Sequence, residues 1–260
     1  MAVSSWLKFF RVVNLPTVPG DVLVGAAAAL AWSGHSAFSG GSFHRCAMPL
    51  APVWWAAASS VFIYMFGLAQ NDIFGAKTDR GRPLADGEIL KDSALAAATA
   101  CLAAAALCAY FGGLFKGSLL SPGSWTAQAV ILVAVITMYN RTKRWWLMGA
   151  CRGLNVLLGA SAACASGSAI GASDMRPLFV AVIWWLYISL VTLYSIGEES
   201  DPEKKRRVGM LVGGIVYLQL AALIVFTLTN PALKPLLIAG ALLLILLCVM
   251  RRALPKVSAS

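Results

Sequence analysis

Charge is scarce in this chain. Of its 260 residues, 11 are Asp or Glu and 21 are Lys or Arg, together 12% of the sequence. An ordinary soluble domain carries about 25% charged residues, so a soluble fold does not suit it. There are two histidines and six cysteines, with no CxxC or other ligand spacing, which argues against a thiolate or imidazole metal centre and against a disulfide framework. Linkers, low-complexity tails and internal soluble segments are missing as well, so residues 1–260 read as a single domain. The formal charge of +10 is spread among loops and forms no patch, so nucleic acid is not an expected partner.

What the chain has instead is apolar length. Hydrophobic residues make up 59% of it. Eight stretches are long enough to cross a bilayer: 12–33, 50–70, 93–112, 125–140, 145–170, 178–196, 208–229 and 233–250. They do not alternate like strands, and backbone groups in lipid must be paired internally, so the expectation is an all-α polytopic membrane bundle of eight helices. The first stretch, with no A-x-A-like cleavage site before it, reads as a span and not as a removed signal. The N-terminal segment, the loops 71–92, 141–152 and 197–207 and the C-terminal tail hold 17 of the 21 basic residues; Arg45, Lys116, Arg176 and Lys234 are the other 4. The positive-inside rule then places both termini in the cytoplasm, which requires an even number of spans. Small residues such as Gly149 and Gly153 in the fifth span predict close helix packing.

The few acids are not scattered. Asp72, Asp79, Asp86, Glu88 and Asp92 fall in one window, and Glu198, Glu199, Asp201 and Glu203 in another, so 9 of 11 lie in two clusters at the same predicted face. If the helix continues, Asp72 and Asp79 share a face, as do Tyr194 and Asp201, each pair seven apart. Carboxylates at the ends of two spans suit a hard cation such as Mg²⁺, which joins one or two carboxylates to substrate phosphates. The adjoining Lys77, Arg80, Arg82, Lys143 and Arg152 suit phosphate oxygens. Ionisable groups facing a bundle are costly to bury, which marks Asn71, Asp72, Asp79 and Asp201 as the leading functional candidates.

These residues resemble the UbiA superfamily of intramembrane prenyltransferases. The stretch Asn71-Asp72-Ile73-Phe74-Gly75-Ala76-Lys77-Thr78-Asp79 is similar to the first aspartate motif of that family, and Arg82-Pro83-Leu84-Ala85-Asp86-Gly87 to the R-P-x-x-x-G that follows it. Tyr139-Asn140-Arg141-Thr142-Lys143 resembles the Y-x-x-x-K motif. Arg11 with Asn14-Leu15-Pro16-Thr17 is similar to the family's approach to its first helix, and Met148 to Asn155 to its fifth-helix segment. Tyr194 to Asp201 falls where the second aspartate motif belongs. The chain diverges at leading aspartate positions: Gly75 stands at one in the first motif, Tyr194 and Gly197 in the second. The family generally has nine helices.

The resemblance implies a Mg²⁺-dependent transfer of an isoprenoid chain from a prenyl diphosphate to a lipophilic, aromatic or hydroxyl acceptor, at the cytoplasmic face of the inner membrane. It implies metal held by Asn71, Asp72, Asp79, Glu198 and Asp201, with Asp72, Asp79 and Asp201 catalytic. Asp72 and Glu198 would stand in for the missing aspartates. Diphosphate falls to Lys77, Arg82, Lys143 and Arg152. Arg11, Asn14, Tyr139, Asn155 and Tyr194 would line the acceptor or prenyl pocket, and Phe66, Phe74, Tyr139 and Tyr194 are candidates to face an allylic cation. Three other readings stay open: a non-catalytic relative that binds a prenyl lipid or assembles a pathway, a cyclase or lyase using the same ionisation, and a transporter. The transporter is disfavoured because the acids sit at one face and not at the midplane.

Overall fold

The computed structural model describes residues 3–31, 50–76, 81–115, 124–165, 175–197 and 201–254. Every regular element among them is helical. A short surface helix, α1 (Val3–Phe9), leads through a 3₁₀ turn at Val12–Asn14 into α2 (Thr17–Leu30). There follow α3 (Ala51–Gly75), α4 (Lys91–Phe111), α5 (Trp125–Thr142), α6 (Trp145–Ala165), α7 (Arg176–Ser195), α8 (Pro202–Thr229) and α9 (Lys234–Ala253). The boundaries follow local chemistry. Proline stands in the first turn of α3, α7, α8 and α9, where its missing N–H costs nothing. Ser124 caps α5 by accepting from Ala127 N at 3.2 Å. Gly113 (φ 62) and Gly197 (φ 80) follow the ends of α4 and α7 in the left-handed conformation that glycine adopts freely.

Seven of the described helices are long and apolar enough to cross a membrane, one fewer than the eight expected spans. The shortfall is α5, where Gln128, Asn140 and Arg141 dilute the apolar run. It nevertheless packs against α6 and α3 as part of the bundle. The 3₁₀ turn and α2 together make the first crossing, Val12–Leu30.

Burial ranks the helices by depth. The apolar windows of α2 and α6 are 78% and 72% buried, whereas those of α7 and α9 are 28% and 22% buried. So α2 and α6 form the axis and the others surround them. That axis depends on small residues. A Cβ at Gly25 would strike the backbone carbonyl of Val156, and one at Gly159 would strike that of Val22. With no hydrophobic effect to drive helices together in lipid, such backbone approach is what packs them. Gly149 and Gly153 do the same between α6 and α7: a Cβ on Gly153 would lie 2.9 Å from Ala181 O. Outward, large apolar side chains such as Leu107, Phe111, Phe179, Leu190, Leu228 and Ile238 are exposed, a surface that suits hydrocarbon and not water.

Candidate functional site

The site grows from the C-terminal end of α3. There Asn71 and Asp72 are buried, Asp72 with 3% exposure, at the end of a mainly apolar span. A carboxylate so placed needs partners. Arg82 Nη1 donates to Asp72 Oδ1 at 2.6 Å, and Asn71 Nδ2 donates to the same oxygen at 3.3 Å. Arg11 Nη2 lies 3.5 Å from it as a looser ion pair. Lys143 Nζ donates to Asn71 Oδ1. Three cations from three separate segments thus meet at one Asn-Asp pair.

Local folding explains how each cation arrives. Arg82 opens a turn in which Gly81 N donates to Asp86 Oδ1 and Asp86 N donates back to Arg82 O. Leu84 and Ile89 from this turn bury themselves with Phe9, Ala69, Ala94 and Ala98, which fixes the turn over the helix ends. Phe9, on α1, anchors the segment before Arg11 in that same cluster. Arg11 and Lys143 are also the two described non-glycine residues with positive φ, 42° and 52°. Such a backbone is disfavoured for a residue with a Cβ and is held only where the surroundings demand it, typically at functional sites.

Below this cluster lies a cavity of about 80 Å³, lined at its head by Arg11, Asn71, Tyr139 and Arg152 and deeper by Ile63, Leu132 and Ile136. Tyr64 and Tyr139 present aromatic rings to it, and Lys143 Nζ sits 5.7 Å from the centre of the Tyr139 ring. The orphan atom here is Arg11 Nη2, which is buried with no hydrogen bond. Asn155 lines the cavity and accepts from Ser60 Oγ at 2.8 Å.

Behind the cavity wall is a group that the sequence patterns did not single out. Asp21 on α2 is fully buried and pairs with Arg152, whose Nε stands 3.0 Å from Oδ2. Trp184 Nε1 and Gln219 Nε2 donate to Asp21 Oδ1 at 3.0 and 2.7 Å. Gln219 Nε2 and Arg152 Nη2 also donate to Thr17 O, at 2.8 and 2.9 Å. Four helices, α2, α6, α7 and α8, are tied at one buried carboxylate. The signal was present: a single acid inside an apolar span is expensive and therefore needs a purpose.

Other candidates are placed differently. Lys77, Asp79 and Glu198 lie outside the described residues. Helix α3 ends at Gly75. Of the second motif's described residues, neither Tyr194 nor Asp201 is among those lining the cavity. Gly197 breaks α7, so Tyr194 and Asp201 are not on one helix. Asp201 is exposed and its Oδ1 caps α8, accepting from Glu203 N at 2.9 Å and Lys204 N at 3.1 Å. Tyr194 is 40% exposed beneath Lys204 Nζ, and Phe74 is exposed beneath Arg141. Asn14 stays in the 3₁₀ turn, accepting from Thr17 Oγ1 through its carbonyl, and is not among the cavity residues.

No family model and no curated protein matches the sequence. Solved structures do match its fold. A UbiA homolog from Archaeoglobus fulgidus superposes with a TM-score of 0.51 at 12% identity, covering 97% of this chain and 87% of that one. The same homolog bound to GPP and Mg²⁺ gives 0.52 at 12% identity over 97% and 87%. A digeranylgeranylglyceryl phosphate synthase gives 0.52 at 15% identity, over 98% of this chain and 92% of that one. The resemblance read from the motifs therefore holds at the level of the fold: this is a polytopic helical bundle whose fold is similar to that of these solved structures.

Magnesium accompanies the ligand in one of those neighbours. Among the described residues here, no three metal-ligating His, Cys, Asp or Glu side chains come together. Asp72, the neighbour of the cavity residue Asn71, has Oδ1 bonded to Arg82. The described side chains therefore make a cradle for an anion and do not by themselves fit a magnesium cage.

Proposed function

We propose that this chain is a membrane prenyltransferase of the UbiA superfamily, moving an isoprenoid chain from a prenyl diphosphate to an aromatic or hydroxyl acceptor at the cytoplasmic face of the membrane. One observation carries the reading. Arg11 and Arg82 pair with Asp72 and Lys143 donates to Asn71, and Arg11 and Asn71 line a cavity that Ile63, Leu132 and Ile136 also line. Three cations against one carboxylate favour a polyanion at the head, and the apolar depth favours a hydrocarbon tail.

In the reaction, the bond between the allylic carbon and the diphosphate oxygen breaks, and its electron pair leaves with the diphosphate. Arg11, Arg82 and Lys143 hold the charge that develops on the leaving group, which is worth more in a site with little water than in bulk. Arg152, already neutralised by Asp21, offers hydrogen-bond donors more than net charge. The rings of Tyr64 and Tyr139 face the cationic carbon. The acceptor then forms the new bond and loses a proton to complete the transfer. Any divalent-ion requirement falls to Asp79 and Glu198, with Asp72.

A second reading, a relative that binds the prenyl lipid without turnover, is favoured by the position of Asp201, which caps a helix outside the cavity. Incubating purified protein with labelled prenyl diphosphates and a membrane extract, with Mg²⁺ or with EDTA, separates the two. A prenylated product and released diphosphate support the transferase. Saturable binding with no product supports the binder, and release without an adduct indicates a cyclase or lyase.

A further inference from the structure

We propose that Arg152 and Ser60 hold the acceptor's oxygen, that Asp21 positions Arg152 for it, and that this oxygen belongs to a neutral hydroxyl and not to a carboxylate. The inference rests on the prenyl diphosphate reading above and narrows the acceptor class for the same cavity.

Arg152 is only 6% exposed, yet it lines the cavity. Its guanidinium is gripped from behind. Nε stands 3.0 Å from Asp21 Oδ2, and Nη2 donates to Thr17 O at 2.9 Å. Asp21 is itself held by Trp184 and Gln219, which fixes the plane of the guanidinium. Nη1 is left over. It makes no hydrogen bond to any described residue. Nor is it among the described polar atoms sealed in without a partner, so it opens onto free space, which for this residue is the cavity.

Ser60 and Asn155 line the same cavity, both buried. Ser60 Oγ donates its proton to Asn155 Oδ1 at 2.8 Å, so its oxygen is left to accept. The wall therefore offers a donor, Arg152 Nη1, and an acceptor, Ser60 Oγ. A hydroxyl answers both, whereas a carboxylate can only accept. Charge points the same way. Asp21 already neutralises Arg152, so a second carboxylate at this wall would be a buried anion with no net counter-charge beside it.

Position separates this wall from the diphosphate end. Lys143 meets Asn71 and Asn155 meets Ser60, so α3 and α6 run antiparallel. In that register Arg152 lies about 12 Å from Asn71 along the bundle, from the helical rise. Tyr64 stands on α3 between Ser60 and Asn71 and also lines the cavity. The ring assigned to the cationic carbon is thus flanked by the two polar ends. An acceptor anchored by its hydroxyl at Arg152 and Ser60 turns its other end toward that carbon.

The test uses two probes with one polar group each, naphthol and naphthoate, titrated into purified full-length protein preloaded with geranyl thiodiphosphate and Mg²⁺. Wild-type protein should bind naphthol about tenfold or more tightly than naphthoate, as loss of a charge-assisted bond predicts. Ser60→Ala removes one hydroxyl and loads the fold little. It should weaken naphthol about threefold to tenfold and leave geranyl thiodiphosphate within about twofold. Asp21→Asn, assayed below its unfolding midpoint, leaves Arg152 with a net charge, so the preference should reverse toward naphthoate. A merely structural tie would lower both affinities together. Naphthoate bound by wild type as well as naphthol overturns the neutral subsite, and so does a preloaded protein that binds neither. A preference that Asp21→Asn leaves unchanged overturns the role of Asp21. If Asp21→Asn does not fold, the Ser60→Ala affinities decide. Ser60→Ala losing geranyl thiodiphosphate in step with naphthol assigns this wall to the diphosphate and overturns the proposal while leaving the diphosphate reading intact. Wild-type protein that binds no geranyl thiodiphosphate removes that reading, and the subsite with it.

Discussion

Asn in place of Asp21 tests the buried tie at the centre of the bundle. The carboxylate is fully buried and accepts from Trp184 and Gln219 at one oxygen while pairing with Arg152 Nε at the other. Asp21→Asn keeps the shape and the first set of bonds. It turns an amide N–H₂ toward Arg152, donor against donor, and leaves a buried guanidinium without its counter-charge. Breaking a buried ion pair from one side costs about 3–5 kcal/mol. At roughly 2–4 °C per kcal/mol for a chain near this size, the unfolding midpoint in detergent should fall by roughly 6–20 °C. Scanning fluorimetry reads that fall directly. Arg152→Gln alone should be comparably damaging, because it strands the carboxylate. The double variant pairs amide with amide, so its loss should be well short of the sum of the two single losses, by more than about 1 kcal/mol. Additive losses, or an Asp21→Asn midpoint within a degree of wild type, would refute the claim that the pair is a coupled unit.

Arg11→Gly removes the cavity guanidinium but suits the left-handed backbone at φ 42; thermal stability should hold or rise slightly, while prenyl diphosphate affinity measured by titration falls about tenfold or more, as loss of a charge-assisted bond predicts. Asp201→Ala should cost about 1 kcal/mol through loss of the α8 cap, seen in denaturation, with prenyl diphosphate affinity unchanged; a large affinity loss would return Asp201 to the site. Gly25→Ala should prevent folding or lower the midpoint sharply, because the new Cβ overlaps Val156 O. Gly209→Ala on α8, where nothing lies within 4 Å, should be neutral or stabilise by roughly 0.5–1 kcal/mol in the same assay.

Much of the architecture was legible because lipid imposes strong rules. The expected spans 50–70, 93–112 and 233–250 coincide with Ala51–Gly75, Lys91–Phe111 and Lys234–Ala253. Asn71, Asp72, Arg82, Lys143 and Arg152 were legible through their spacing and their cost at the ends of apolar runs. Three things were not. A shared face for Tyr194 and Asp201 needs a helix that runs through Gly197, and α7 ends at Ser195. The cap role of Asp201 is hidden by its place in a motif, although Asp-Pro-Glu at the start of a long helix suits a cap equally well. Asp21 stands alone in the sequence, away from both acidic clusters. Its partners Arg152, Trp184 and Gln219 come from three distant helices, and no local pattern announces them.

The functional reading stands on cations from three separate segments holding a diphosphate at the Asn71–Asp72 end of α3. A structure of the chain with geranyl thiodiphosphate decides it. The diphosphate is predicted to lie in contact with Arg11, Arg82 and Lys143, its hydrocarbon chain running toward Ile63. Diphosphate bound instead on the exposed basic run from Lys204 to Arg207, with the cavity left empty, would overturn it.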